Sequence, residues 1–441
     1  MGMGACNRGV TSTLSGELEL QARWFAGEFG REFEGTNGET VNIVQFGIWN
    51  RAAGPDFVEA AVSINGAAAK RGAIEIDPDI RDWERHGHSQ NPDYENVVLH
   101  VFQHNCAGRL FSRTASHRLV VQVQLPMGAN TGIVGGPLAR AGRCAPVLAA
   151  RSVSEIRATL LDAALLRFRR KAAALRRTGE VHGENEALYQ ALAMGMGYPN
   201  NTLPFRLLAQ RLPLHRLSQD PEEAEALLFG VSGFLPTPNL AALSPETRVH
   251  ARKLWQHWWP HRDAYQALQI PAALWRLHGQ RPANHPARRI GALSALVRHW
   301  RALRRLVAMN DWKRCTTFLC GLAHPFWTNH YTFHSQAAAR PLALIGEERI
   351  EELLVNSLLP FNGDWDKLVS MRARGRNRRS KTAAARLLAT RPDTKKLLAE
   401  AACQQGLLQL YEDFCRCDSS DCAGCPFPEQ ALSTVTGLSG C

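Results

Sequence analysis

Two patterns of hydrophobic positions divide the chain. Up to about residue 150, a single amphipathic helix, predicted from Leu14 to Phe29, precedes several short β-type runs. The predicted strands share alternating or β-branched residues and are Val41 to Ile48, Phe57 to Ile64, Gly72 to Asp77, Val97 to Gln103 and Leu119 to Leu125. An Asn65-Gly66 turn after the second strand indicates a hairpin with the third.

From about Ser152 onward the periodicity is helical. A long amphipathic helix is predicted to open at Ser154 and to continue through Arg177, and further helices separated by Pro and Gly follow it. The pattern predicts an α+β protein in three parts. They are a small α/β domain with a mixed sheet (residues 1–150), a large all-α basic region (151–410) and a cysteine-rich tail (411–441).

The charge of the chain is unevenly distributed. The formal net charge is +12, but residues 1–140 carry 12 Lys+Arg and 15 Asp+Glu, so the excess lies beyond them. Such asymmetry predicts contact with nucleic acid, without sequence-specific readout because no known reading motif is present. The candidate contact residues are Arg169, Arg170, Arg376, Arg378 and Arg379. The alternative is a solvated, arginine-rich surface.

No apolar stretch reaches the roughly 18 residues that a membrane span needs, and the first 20 residues lack a secretory pattern. The chain has 11 cysteines, an odd number scattered along much of its length, which does not resemble a disulfide framework. These features predict a cytoplasmic protein without a membrane partner.

A group of acids occupies the predicted hairpin. Asp56 follows Gly54-Pro55 at the entrance to a strand, and Glu75 and Asp77 share one face of the next strand because side chains alternate. Neighbouring carboxylates repel each other, and a hard cation such as Mg²⁺ or Mn²⁺ on Asp56 and Glu75 would relieve the repulsion. The alternative is a solvated acidic strand face.

Histidines follow the acids in the sequence. His86 and His88 are separated by one glycine, and His100 lies inside the next predicted strand. They are candidates for metal ligation, substrate orientation or acid/base catalysis near neutral pH. Gln21, one helical turn from Glu17, is predicted to face the same site. The alternative is a structural corner in which the imidazoles bind loop carbonyls.

Four cysteines crowd near the C-terminus: Cys415, Cys417, Cys422 and Cys425. The Cys-x-x-Cys spacing lets two thiolates bind one ion, and either Zn²⁺ or an iron–sulfur cluster fits. Cys6 is a candidate distant ligand, because the Cys-Pro ending resembles iron–sulfur nucleases that use one cysteine before the nuclease core. The alternative is a set of thiols without metal.

The order of helix, strands, Pro55-Asp56 and Glu75 resembles the PD-(D/E)XK nuclease core. This resemblance implies cation binding by Asp56 and Glu75, with a catalytic lysine two residues after the glutamate. Asp77 occupies that position here. Lys70, Arg71 or one of the three histidines would have to replace the lysine.

A broader resemblance is to the bacterial family named domain of unknown function 2851. It rests on residues distributed along nearly the whole chain: Leu20-Gln21, Trp24, Asn50, Gly54 to Phe57, Glu75, Asp82-Trp83, His86, His88, Tyr94, Leu99 to Val101, Ala226 to Gly230, Gly233 to Leu235, Arg281 to Pro286, Arg289, Ile345-Gly346, Asn356, Pro360, Cys415, Cys422 and Cys425. The family usually has a histidine where this chain has Asp77. The resemblance implies no particular activity.

Three functions remain open from the sequence. The first is a divalent-metal-dependent nuclease that cleaves DNA or RNA phosphodiesters. The second is a non-catalytic nucleic-acid-binding protein with a degenerate nuclease core. The third is a hydrolase of a small anionic substrate, in which His86, His88 and His100 bind a transition metal.

Overall fold

A mixed seven-stranded sheet forms the first part of the protein. The computed structural model describes residues 17–50, 53–105, 108, 110–126, 139–217, 220–236, 240–277, 280–389, 391–417, 420 and 422–433. The strands are β1 Glu32–Glu34, β2 Thr40–Gln45, β3 Ile48–Trp49, β4 Phe57–Ile64, β5 Lys70–Asp79, β6 Val97–His104 and β7 Val121–Gln124. Their order is β1-β2-β4-β5-β6-β7, with β3 paired to β4.

The pairing changes direction at β5. The β4–β5 pair is the antiparallel hairpin that the Asn65-Gly66 turn predicts, whereas β5–β6 and β6–β7 are parallel. Parallel neighbours need a crossover, and the segment from Ile80 to Asn96 provides it. In this register Glu75 lies beside His100. The change of direction therefore brings the predicted acids and a predicted histidine together.

Helices make up most of the remaining chain. In chain order they are α1 Glu17–Ala26, α2 Asp82–Arg85, α3 Cys144–Ala149, α4 Val153–His182, α5 Glu184–Met196, α6 Tyr198–Arg211, α7 Leu214–Leu217, α8 Pro221–Ser232, α9 Pro245–Trp258, α10 Arg262–Tyr265, α11 Pro286–Arg298, α12 Trp300–Ala308, α13 Trp312–Cys320, α14 Glu347–Leu353, α15 Leu359–Asn362, α16 Trp365–Ser370, α17 Arg378–Leu388, α18 Thr394–Leu397, α19 Ala401–Leu410 and α20 Phe427–Ser433. A mixed sheet followed by a large helical region confirms the predicted α+β class. Among the described residues, no helix is long and apolar enough to cross a lipid bilayer.

The chain forms two compact units that do not follow its linear order. The first contains residues 1–156, 377–394 and 410–441, and the second contains residues 157–376 and 395–409. Helix α17 and the cysteine tail therefore belong to the same unit as the sheet. In that unit, Leu20, Trp24 and Phe25 of α1 are buried in one core with Ile43 of β2 and Ile74 of β5.

The second unit has its own hydrophobic core, to which α5, α8 and α11 contribute many side chains. Two of its helices approach so closely that only glycine fits between them. A methyl group on Gly406 of α19 would overlap with the carbonyl oxygen of Leu160 in α4. Backbone atoms on both sides leave no flexible side chain to move, so the glycine fixes how closely the two helices pack.

We expect Gly406→Ala to lower the free energy of unfolding by at least about 2 kcal/mol, because the added methyl group must push two helix backbones apart. Chemical denaturation, with the unfolding transition of the second unit analysed separately, measures the change. Gly375→Ala is the matched control, since its methyl group would lie no nearer than 4.0 Å, from Glu348 Oε1. Equal stability of the two variants would contradict this description of the contact.

Candidate metal centre

The predicted acids converge where β4 and β5 meet. Asp56 comes directly before β4, Glu75 and Asp77 lie in β5, and all three side chains are buried. The backbone N–H of Asp56 donates to Glu75 Oε2 over 2.9 Å, and that of Ile76 donates to Asp56 Oδ2 over 3.0 Å. Each carboxylate is therefore held by a backbone N–H that belongs to the other acid or to the residue next to it.

Gln21 is the helix residue that reaches this pair. Its Nε2 donates to Asp56 Oδ1 over 2.7 Å and to Glu17 Oε1 over 3.0 Å. Its Oε1 accepts from Trp49 Nε1 over 3.0 Å, which fixes the orientation of the amide. The structure therefore places Gln21 beside Asp56, as the helix pattern predicts. Trp49 of β3 holds the Gln21 side chain in this position by its hydrogen bond.

Burial and neighbouring negative charges raise the pKa of both carboxyls of this pair. Burial raises the pKa of Asp56 well above its usual value, and the neighbouring Glu75 raises it further. Burial also raises the pKa of Glu75, with the charge of Asp77 as the second cause. The pair therefore tends to retain a proton at a pH where exposed carboxyls have lost theirs.

The three histidines surround Asp77. His86 Nδ1 lies 3.4 Å from Asp77 Oδ1, and His100 Nε2 lies 3.2 Å from Asp77 Oδ2. His88 Nε2 is 4.0 Å from Asp77 Oδ2 and 3.1 Å from Glu75 Oε1. One ligand atom from each of Asp77, His86 and His88 lies within 4.8 Å of the other two. The sequence-predicted acids and histidines thus form one cluster.

Neighbouring side chains hold the imidazoles in place. His88 stacks on Tyr94 at a ring separation of 3.9 Å. His100 Nδ1 is 2.6 Å from Ser112 Oγ, which in turn accepts from Gln122 Nε2 over 2.8 Å. Such contacts leave the Nε2 atom of His100 directed at Asp77. Ser112 and Gln122 were not predicted from the sequence, because nothing in their local pattern distinguishes them from other polar residues.

Several polar atoms of the cluster are buried without a hydrogen bond. They are Asp77 Oδ2, His100 Nε2 and both ring nitrogens of His88. The His100–Asp77 contact is short but is not aligned as a hydrogen bond. Unmatched buried polar atoms are costly, and a cation among them would satisfy several at once. The donor set therefore fits a metal ion held by Asp77, His86 and His88.

The predicted nucleic-acid contacts lie in both units. Arg169 and Arg170 of α4, and Arg376, are exposed residues of the second unit. Arg378 and Arg379 begin α17 in the first unit. Arg378 Nη2 approaches the carbonyl oxygen of Trp49 to 3.5 Å, so it lies near the residue that orients Gln21. Arg379 instead forms an ion pair with Glu412 at 3.1 Å.

The predicted cysteine ligands differ in their surroundings. Cys422 and Cys425 are buried, and Cys415 is partly buried at the end of a π-helical turn, Tyr411–Cys415. Cys417 is exposed, and its Sγ faces the carbonyl oxygen of Glu412 at 3.4 Å. Cys6 lies outside the described residues. The four predicted cysteines therefore do not share one environment.

The model of a family described as "Protein of unknown function (DUF2851)" matches residues 17–378. The chain belongs to the DUF2851 family. The DUF2851 match contains every residue of the acid–histidine cluster and ends before Cys415. No curated protein and no solved structure matches the chain.

Proposed function

We propose that this protein is a divalent-metal-dependent phosphodiesterase of the nuclease type, with its metal at the acid–histidine cluster. The observation that carries the proposal is the convergence of Asp77, His86 and His88 within 4.8 Å. The buried Nδ1 of His88, which has no hydrogen-bond partner, adds to it. Buried polar groups gathered in this way destabilise the folded protein unless a ligand binds them. Destabilising arrangements of this kind are concentrated at functional sites.

The donor set favours Mn²⁺ over Mg²⁺. Imidazole nitrogens suit transition-metal ions, whereas Mg²⁺ prefers an all-oxygen shell. When bound, such an ion polarises a phosphoryl oxygen and lowers the pKa of a coordinated water. Asp77, His86 and His88 would hold it, and His100, fixed by Ser112, keeps the Asp77 carboxylate in position.

The Asp56–Glu75 pair would supply proton transfer. Both carboxyls are buried, and burial raises the pKa of each. Glu75 Oε1 lies 3.1 Å from His88 Nε2, so the pair sits directly beside the metal ligands. A carboxyl that retains its proton can donate it to a leaving oxygen, and Gln21 positions Asp56 for that exchange.

Two features favour a nucleic-acid substrate. The formal net charge of +12 attracts polyanions, and the exposed Arg378 stands near Trp49 at the edge of the site. Among the metal-binding candidates, His86 is the accessible one, with 38% of its side chain exposed. A phosphate would therefore approach from the His86 side. The resemblance to the PD-(D/E)XK core points to the same class of substrate.

The test is cleavage of labelled DNA and RNA oligonucleotides, and of the small diester bis(p-nitrophenyl) phosphate, with Mn²⁺. We expect oligonucleotide cleavage that needs Mn²⁺ and stops on adding a chelator. Cleavage of the small diester alone would instead support a hydrolase of small anionic substrates. Salt-dependent binding without cleavage of any of these substrates would support a non-catalytic nucleic-acid-binding protein.

An arginine variant tests the polymer contact separately. Arg378→Ala should weaken oligonucleotide binding and lower the salt dependence of its affinity, because one phosphate contact is lost. It should leave cleavage of the small diester unchanged. Arg314→Ala removes an exposed charge of the second unit, 75% accessible, and serves as the control. Equal effects of the two changes would mean that only total charge matters.

A further inference from the structure

Cys144 is the cysteine that the first unit places beside the tail thiols. It begins α3, far from the tail in sequence, and it is buried. The Sγ atoms of Cys144 and Cys422 both lie 3.5 Å from the position that a Cβ on Gly142 would take. Burial, with a smaller contribution from the adjacent Cys422 and Cys425, raises the pKa of the Cys144 thiol to about 11. Three cysteines are therefore neighbours at the start of α3.

Cys415 completes this group. Its partly buried side chain lines the same cavity as Arg386, and Arg386, Cys144 and Cys422 are close enough to interact with it electrostatically. The guanidinium of Arg386 lies 3.1 Å from Cys422 Sγ, and this cation also interacts electrostatically with Cys144 and Cys415. A positive charge in this position stabilises thiolates, the form in which cysteine binds metals.

Arg143 ties the Cys144 segment to the loop that carries the other cysteines. Its Nη1 donates to the carbonyl oxygen of Ala423 over 3.1 Å, and its Nη2 donates to that of Cys425 over 3.0 Å. Cys422 has a φ of 71°, a left-handed conformation that is unusual for a residue with a side chain. The loop is held in a strained shape with Cys422 and Cys425 turned into the protein, which is typical of functional sites.

We propose that Cys144, Cys415, Cys422 and Cys425 form a four-thiolate metal centre in the first unit. In this set Cys144 is the fourth ligand, a role for which the sequence suggested Cys417 or Cys6. Cys417 is exposed, and its Sγ faces the backbone carbonyl oxygen of Glu412. The proposal is independent of the proposed function, because none of these cysteines belongs to the acid–histidine cluster.

Four thiolates can hold either an iron–sulfur cluster or a single zinc ion. Four thiolates around one zinc ion are about 3.8 Å apart, given Zn–S bonds of about 2.3 Å. A polynuclear cluster separates its cysteine ligands further, and Arg386 would offset part of its negative charge.

The first experiment measures zinc, iron and acid-labile sulfide in the full chain purified without oxygen. We expect one metal centre per chain, and Cys144→Ser should remove most of it, whereas Cys417→Ser should leave it in place. Iron with sulfide and visible absorption identifies a cluster, and about one zinc per chain identifies a single ion. Absence of all three, or loss in Cys417→Ser with retention in Cys144→Ser, overturns the ligand set.

A second experiment needs no substitution and so does not depend on the folding of a variant. The wild-type chain is alkylated with iodoacetamide before and after treatment with a chelator, and the modified cysteines are located by mass spectrometry. We expect Cys417 to react throughout, and the four proposed ligands to become reactive together when metal is removed. Reaction of Cys144 that does not change with chelator, while the others change, overturns its assignment.

Discussion

Asp77→Asn is expected to lower Mn²⁺-dependent cleavage by at least roughly 10²-fold, because loss of a metal ligand should cost at least as much as loss of an outer-shell partner. Asp77 is 1% exposed and lies at the centre of the cluster, with His86 and His100 on its two oxygens. Asparagine keeps the shape of the side chain but removes the negative charge that holds a cation among neutral imidazoles. Metal affinity, measured by titration calorimetry, should fall together with kcat/KM.

Two further variants sharpen this test. Asp79→Asn removes a carboxylate from the same strand that is paired with Arg81 instead, so it should leave cleavage nearly unchanged. Asp77→Lys installs the residue that the nuclease motif has at this position. If Asp77 binds the metal, the lysine should abolish cleavage. Higher activity in Asp77→Lys would contradict a ligand role for Asp77.

Glu75→Gln is expected to have opposite effects on activity and stability. Cleavage should fall by about 10²-fold or more, because the variant can no longer donate or accept the proton. The metal-free protein should become more stable by about 1 kcal/mol or more, since burial and Asp77 raise the pKa of Glu75 and disfavour its charged form. Thermal unfolding with chelator present measures this second effect.

The contacts of Glu75 indicate that Glu75→Gln should disturb the structure little. A glutamine oxygen can still accept from the backbone N–H of Asp56, and its amide can face His88 Nε2. Glu84→Gln removes a charge from an exposed neighbour and should change stability by less than about 0.5 kcal/mol. A Glu75→Gln variant less stable than wild type in the absence of metal would show that its carboxylate is structural.

The strands that face the core were predictable from the sequence because their hydrophobic pattern is local. The predicted strand from Phe57 to Ile64 has the bounds of β4. The run from Val41 to Ile48 was predicted as one strand but is divided into β2 and β3. Gly47 lies at the division with φ of 83°, and a side chain there would meet the carbonyl oxygen of Val58 at 2.6 Å. This close approach is tertiary and leaves no mark in a one-dimensional pattern.

The residues of the candidate site were predictable from the sequence, but the central position of Asp77 among them was not. Alternation along a strand places Glu75 and Asp77 on one face, and the hairpin turn brings Asp56 to them. The role of Asp77 as the meeting point of the histidines depends on the parallel register of β5 with β6. Long-range register of this kind cannot be inferred from spacing. Cys144 was missed for the same reason: the cysteines that lie near it are more than 250 residues later in the sequence.

The most direct test of the metal centre is a crystal structure of the wild-type chain grown with Mn²⁺, with diffraction data collected at the manganese absorption edge. We expect an anomalous peak bounded by Asp77, His86 and His88, at about 2.1–2.3 Å from their ligand atoms. We expect this peak to disappear in Asp77→Asn crystals. A fully folded protein with no anomalous peak at this cluster, at a Mn²⁺ concentration that supports cleavage, would contradict a metal centre at these residues.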